Sequence, residues 1–328
     1  MRNIVIKIGM ILLLIYSGTG INYAGDGQID IAYLPYTIDQ SGSYIVVKDI
    51  TLATQDTNGI IINVDNVTID LNGHTLTGQG KAVGTIGSGI TVNGTHYNIA
   101  IKNGTLRDWR MDGVSATYAS NSQFESLRCY NNGGSGLMAG SNCKIIGNTS
   151  QDNGEYGISV SVSNTIVNNS SRNNGKSGIY TNTACVINGN SCYDNTDNGI
   201  SASSGSTVIN NSCYHNGKSG ISAMTGSNIL SNSCNVNLGD GIQVNDSCKI
   251  TDNICNNNGY QSSDGAGIHS TYGINCIEHN VVCYNDRGID VDWSGSYIAS
   301  NRAKGNTTNY DIAASNTVGT GDLANITF

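Results

Sequence analysis

The stretches "GNSCYDNTDNGIS" (residues 189–201) and "NNSCYHNGKSGIS" (210–222) lie 21 residues apart and share Asn, Ser-Cys-Tyr, Asn and Gly-Ile-Ser. The offset is not local. A Gly followed by an aliphatic residue recurs at Gly59, Gly89, Gly113, Gly136, Gly157, Gly178, Gly199, Gly220, Gly241, Gly267 and Gly288, with spacings of 30, 24, 23, five of 21, then 26 and 21. A fixed period of this size means a solenoid, in which each repeat buries its apolar face only against its neighbours. Within a unit the aliphatics alternate, as in "GISVSV" (157–162) and "GIQVND" (241–246), which is strand spacing rather than helical spacing.

Aligned on that Gly, the units form columns. Twelve residues on stand Asn148, Asn169, Asn190, Asn211, Asn232 and Asn253, with Asn280 and Asn301 one place later in two units; five residues further run Asn153, Asn174, Asn195, Asn216, Asn237 and Asn258. Asparagine tolerates the left-handed backbone of a sharp turn, and stacked side-chain amides can hydrogen-bond from unit to unit. An aliphatic column (Ile145, Ile166, Ile187, Val208, Ile229, Ile250) completes a cross-section repeated once per 21 residues. The expected fold is all-β, a solenoid of about 11–12 coils with strands pairing in parallel from coil to coil.

With "NNSC" (210–213) as an asparagine ladder, and with "DNVTIDLNGHTLTG" (65–78) and "NIAIKNGTLRDW" (98–109) as opening coils, the chain resembles the secreted right-handed parallel β-helix proteins of the pectate-lyase-like type. The resemblance covers roughly residues 30–315. It implies a right-handed parallel β-helix and leaves open whether the chain is a lyase, hydrolase, epimerase, adhesin or a member without activity. Signatures of particular members are missing: no "DPH" as in alginate epimerases, no adjacent Asp-Asp pair as in polygalacturonases, and no Arg projecting from mid-groove as in pectate lyases.

Residues 1–24, with Arg2 and Lys7 around the apolar run to Tyr16 and a small residue at Ala24, read as a secretory signal peptide. Residues 25–58 are then the N-terminal cap, 59–304 the coils, and 305–328 a last partial coil and C-terminal cap. The expected location is secreted, periplasmic or at the cell surface, with no membrane insertion after cleavage. Without Arg2 and Lys7 the chain carries 14 basic and 24 acidic residues. That balance excludes nucleic acid and anionic membranes as partners, since both demand basic patches. The expected partner is a polysaccharide or cell-surface glycan, met by a monomer.

Of ten Cys, Cys192, Cys213, Cys234 and Cys255 share one column with Ser150 and Ser171, while Cys143, Cys185 and Cys248 share another with Asn164, Ser206 and Ser227. Interchange with Ser reads as small inward side chains and buried thiols, although stacked neighbours lie near enough for a bridge.

Chemistry requires polar residues on the outer face of the Gly-Ile strand, two and four positions after the Gly. Mid-chain these are bland, such as Ser159, Ser161, Ser201 and Ser203; later they become Gln243 and Asn245, His269 and Thr271, then Asp290 and Asp292. The preceding turn, "NNNGYQSSDGAG" (256–267), carries a five-residue insertion containing Tyr260. His269 and Asp290 are expected one coil apart at about 5 Å, with Asp292 one pleat from Asp290 at roughly 7 Å. His269 is the candidate base of a lyase or epimerase, with Asp290 to orient it and Arg287 or a Ca²⁺ held by Asp290 and Asp292 to neutralise a uronate. In a hydrolase Asp290 and Asp292 would be the acid and base of an inverting pair. Gln243, Asn245, Tyr260 and Trp293 are the candidate substrate contacts. "RDWRMDG" (107–113) is a second cluster, read as a capping turn around Trp109. Beside this reading, as a polysaccharide-binding protein that cleaves or modifies its ligand, stand two others: a non-catalytic structural rod and a periplasmic accessory protein.

Overall fold

The computed structural model describes residues 27–54, 56–82, 86–259 and 265–328; residues 1–24, expected to be a signal peptide, and Tyr260 lie outside them. Every turn of the solenoid contributes one strand to a 13-stranded parallel sheet, from Tyr36–Ile38 to Thr308–Ile312, and most of the remaining strands join a second sheet of 25. The pairing register is the sequence period itself: Ile145 lies beside Ile166, and Cys192 beside Cys213. There are thus about 13 turns rather than 11–12. The two extra strands lie in the segments assigned to the caps, Tyr36–Ile38 pairing with Ile60–Ile62 and Thr308–Ile312 with Arg287–Val291. Neither is introduced by Gly and an aliphatic residue, so the marker passes over them.

The marker has a steric cause. A Cβ on Gly241 would sit 2.6 Å from the Gly267 carbonyl oxygen, and one on Gly220 would sit 2.7 Å from that of Gly241. Coils approach too closely there for any side chain. The interior is narrow and apolar, with Ile145, Ile166, Ile187, Val208, Ile229 and Ile250 fully buried in one column. Ser150 and Ser171 give way to Cys192, Cys213, Cys234 and Cys255 in another, also fully buried. All ten Cys are free thiols. Burial pushes Cys129 up to about 12 and Cys192 and Cys234 well above the ordinary thiol value.

Both asparagine columns are continuous ladders. Asn211 is representative: its Oδ1 accepts from the Asn190 backbone N–H at 2.8 Å and from Asn190 Nδ2 at 3.0 Å. Its Nδ2 donates to the Ile187 carbonyl at 2.9 Å and to Asn232 Oδ1 at 3.0 Å. The ladder asparagines are not themselves left-handed, however. The residue before each one is, as at Asn168 (φ 56°), Asn210 (56°), Asp194 (56°) and Val236 (58°). The turn and the ladder are therefore two adjacent columns with separate tasks, one bending the chain and the other satisfying the groups that the bend buries.

Val236 is the outlier, because a β-branched residue in that conformation crowds its own carbonyl. Replacing Val236 with Asn should stabilise the fold by about 1 kcal/mol, seen as a raised denaturation midpoint at unchanged m-value. An unchanged or lowered midpoint would show that Val236 contributes packing that offsets the strain.

Candidate active site

The outer face of the 13-stranded sheet carries its only concentration of charge near the C-terminal end, among the described residues. Gln243, His269, Asp290 and Asp311 follow one another at one register position on successive strands. The five-residue insertion does not disturb this register. Gly259 (φ +72°) and Gly265 come so close that a Cβ on either would strike the other's backbone, so the inserted loop closes at its base and Ala266–Ser270 pairs in line.

His269 is the hub. Its Nδ1 lies 3.2 Å from Asp240 Oδ2, and its Nε2 lies 3.0 Å from Asp292 Oδ2 and 3.9 Å from Asp290 Oδ2. Asp240 is fixed by its other oxygen, which accepts the Ala266 backbone N–H at 2.7 Å. Asp290 is buried and paired with the Arg287 guanidinium, whose Nε also lies 3.7 Å from Asp311. Asp292 is half-exposed. Partial burial alone would lower the His269 pKa; the hydrogen bond and charge of Asp240, with Asp292 and Asp290, overcome it and raise the ring to about 9. Burial raises the Asp290 carboxyl, with the Arg287 pair opposing it.

Of the residues singled out from sequence, His269, Asp290, Asp292 and Arg287 converge. Gln243 lies beside them, 3.5 Å from the Ser222 hydroxyl, and Asn245 accepts a hydrogen bond from the Thr271 hydroxyl at 3.0 Å. Trp293 is exposed and its ring centroid lies 6.3 Å from that of Tyr272, one coil back. Asp240 and Tyr272 were not foreseen. Asp240 stands immediately before Gly241, the position that Asp112 holds before Gly113 in a structural role, so the column alone did not mark it. A cleft of about 620 Å³ lined by Asn198, Lys218, Ser219, Leu238, Asp240 and Gln243 leads up to the cluster.

Oxygens of Asp290 and Asp292 lie within 4.8 Å of each other and of the ring nitrogen, because both carboxylates turn towards His269. That is nearer the about 5–5.5 Å of a retaining carboxylate pair than the about 6.5–9.5 Å that leaves room for an attacking water. A Ca²⁺ on these two carboxylates would seek several further oxygens, compete with Arg287 for Asp290 and face the cationic ring. The donor set fits a hard cation poorly. The second cluster is structural: Trp109 is buried with its Nε1 donating to the Leu76 carbonyl at 3.2 Å, and Asp112 accepts the Ser135 backbone N–H at 2.8 Å.

A family model described as the right handed beta helix region matches residues 37–185 and 163–307. The chain belongs to this family. Solved structures agree on the fold of this β-helix. The A-module of mannuronan C-5 epimerase AlgE6 from Azotobacter vinelandii superposes with a TM-score of 0.63 at 15% identity, over 92% of this chain and 89% of that one. The AlgE4 A-module from the same organism gives 0.63 at 16%, over 90% and 92%. The Dettilon tailspike protein (gp208) gives 0.56 at 15%, over 84% of the β-helix and 59% of the tailspike. No curated protein matches the sequence.

Proposed function

We propose that this β-helix acts outside the cytoplasm, binding a polysaccharide along the outer face of its 13-stranded sheet and transforming it by acid–base chemistry at His269. The observation that carries the reading is the imidazole set between Asp240 and Asp292, with Asp290 beside it, at the end of an open cleft. Perturbed, partly buried groups gathered in a cleft are the physical mark of a reaction centre. The names of two similar structures, both mannuronan C-5 epimerases, agree with a glycan as the ligand.

The raised pKa changes the role expected of His269. A ring that holds its proton at neutral pH is a proton donor, not a free base. A glycosidic oxygen arriving at Nε2 would displace the half-exposed Asp292 and take the proton as the bond to the anomeric carbon breaks. Asp292, freed beside that carbon, stabilises the positive charge developing there or attacks it. Water then supplies the hydroxyl, and its proton returns to the ring. Asp240 holds the ring in place through Nδ1, and Arg287 holds Asp290 beside it through their ion pair.

The test is incubation of the protein with a panel of neutral and acidic polysaccharides, reading reducing ends together with ultraviolet absorbance of unsaturated products. New reducing ends without that absorbance are expected. Unsaturated products would assign elimination to the same cluster, and silence across the panel with the fold intact would leave the β-helix as a binding rod.

A further inference from the structure

The charges along the groove say which kind of glycan suits it. Leading towards His269, the outward column reads Tyr180, Ser201, Ser222 and Gln243: hydroxyls and an amide without charge. Four coils separate Tyr180 from His269, about 19 Å at the spacing of parallel strands. At the far end Tyr180 stacks on Tyr156, ring centroids 5.1 Å apart. On the same two coils as the cluster, in the turns that follow its strands, stand Tyr272 and Trp293, 60% and 57% exposed. One aromatic surface thus stands at the far end of a neutral, hydrogen-bonding floor and another beside the cluster at its near end.

The cations bordering this stretch all have carboxylate partners. Lys176 is paired with Glu155 at 3.0 Å, Lys218 with Asp197 at 2.8 Å, and Arg287 with Asp290 and Asp311. Asp240, Asp290, Asp292 and Asp311 then outnumber His269 and Arg287 at the centre. A polyuronate laid here would meet a net negative charge at its reacting ring, and among the described residues it would compete with a carboxylate for each bordering Lys or Arg.

We infer that the groove takes an uncharged polysaccharide, a polymer of neutral pyranoses whose apolar ring faces stack on Tyr180 and on the Tyr272–Trp293 pair while its hydroxyls bond Ser201, Ser222 and Gln243. The inference rests on the groove being the glycan site. Stacking supplies binding that charge does not, because a pyranose ring presents an apolar face to an aromatic one. It also sets this β-helix apart from the mannuronan epimerases that share its fold, whose named polymer is anionic.

Affinity gel electrophoresis of the full chain, in gels containing a glucan, a mannan, a galactan, alginate or polygalacturonate at low salt, with and without Ca²⁺, tests it. Retardation by at least one neutral polymer and by neither polyuronate is expected. Trp293→Ala and Tyr180→Ala should each weaken that retardation about tenfold. Thermal melts check that each variant is folded, and Tyr272→Ala provides an independent probe of the same platform. Retardation by a polyuronate equal to or stronger than by every neutral polymer would overturn the inference, as would unaltered retardation of the folded aromatic variants or none in any gel. A neutral polymer that binds without being transformed would instead leave the substrate class standing and remove the acid–base reading; a polyuronate that is transformed would do the reverse.

Discussion

His269→Gln should lower polysaccharide turnover by about 10²–10⁴-fold, the ordinary worth of a positioned proton donor, while leaving glycan binding in place. Glutamine keeps an N–H within reach of a neighbouring carboxylate and cannot give up a proton, so loss of turnover with binding retained isolates the chemistry from the groove. The pH dependence follows from the same contacts. With the folded pKa at about 9 and the unfolded value at about 6.5, the donor form persists through neutrality, and turnover falls as pH rises through about 9. The sign for stability is the same. A raised His pKa contributes stability that is fully present below about 6.5 and lost by about 9, so wild-type melting temperature should decline across that window and His269→Gln should decline less. A turnover profile already falling near 6.5 would contradict the account, because it would mean that the three carboxylates do not hold the proton.

Asn211→Ala should cost about 3–5 kcal/mol, although the residue touches no ligand and lies far from the cluster. The change orphans the buried Asn190 backbone N–H, takes one of its donors from the Ile187 carbonyl, and breaks the amide links to Asn190 and Asn232. An orphaned group costs about 1–3 kcal/mol, and the missing amide adds a void between coils. Ser212→Ala, next in sequence but exposed on the strand's outer face, should change stability by no more than about 0.5 kcal/mol. Denaturant midpoints of the two variants give the comparison directly. Equal effects would show that the ladder amides are replaceable by water or by rearrangement, and the repeat would then be held chiefly by its Ile and Cys columns.

Almost all of the architecture was legible because a solenoid writes its contacts at one interval. Once Gly199 is laid over Gly220, the pairing of Cys192 with Cys213 is already given. The end coils were harder, since Tyr36–Ile38 and Thr308–Ile312 keep the register without the Gly that announces it. The left-handed positions were misplaced by one residue for a related reason: Asn fills both the bending column and the hydrogen-bonding column, and only the backbone separates Asn210 from Asn211. At the site, His269, Asp290 and Asp292 stood out as departures from a row of serines. Asp240 did not, because its side chain leaves the turn of one coil and meets the imidazole of the next. Contacts that run diagonally between columns are invisible to an alignment that compares positions within them. The proton-donor role proposed for His269 was hidden for the same reason, since it rests on Asp240 and Asp292 acting on the ring together.

The premise beneath the functional reading is that three aspartates keep His269 cationic in the groove. An NMR pH titration of the imidazoles tests it most directly, and the chain has only five histidines to resolve. One resonance should titrate at about 9, disappear in His269→Gln and move to lower pH in Asp240→Asn. All five titrating near about 6.5 would mean that the cluster does not hold its proton, and the proposed donor would be lost with it.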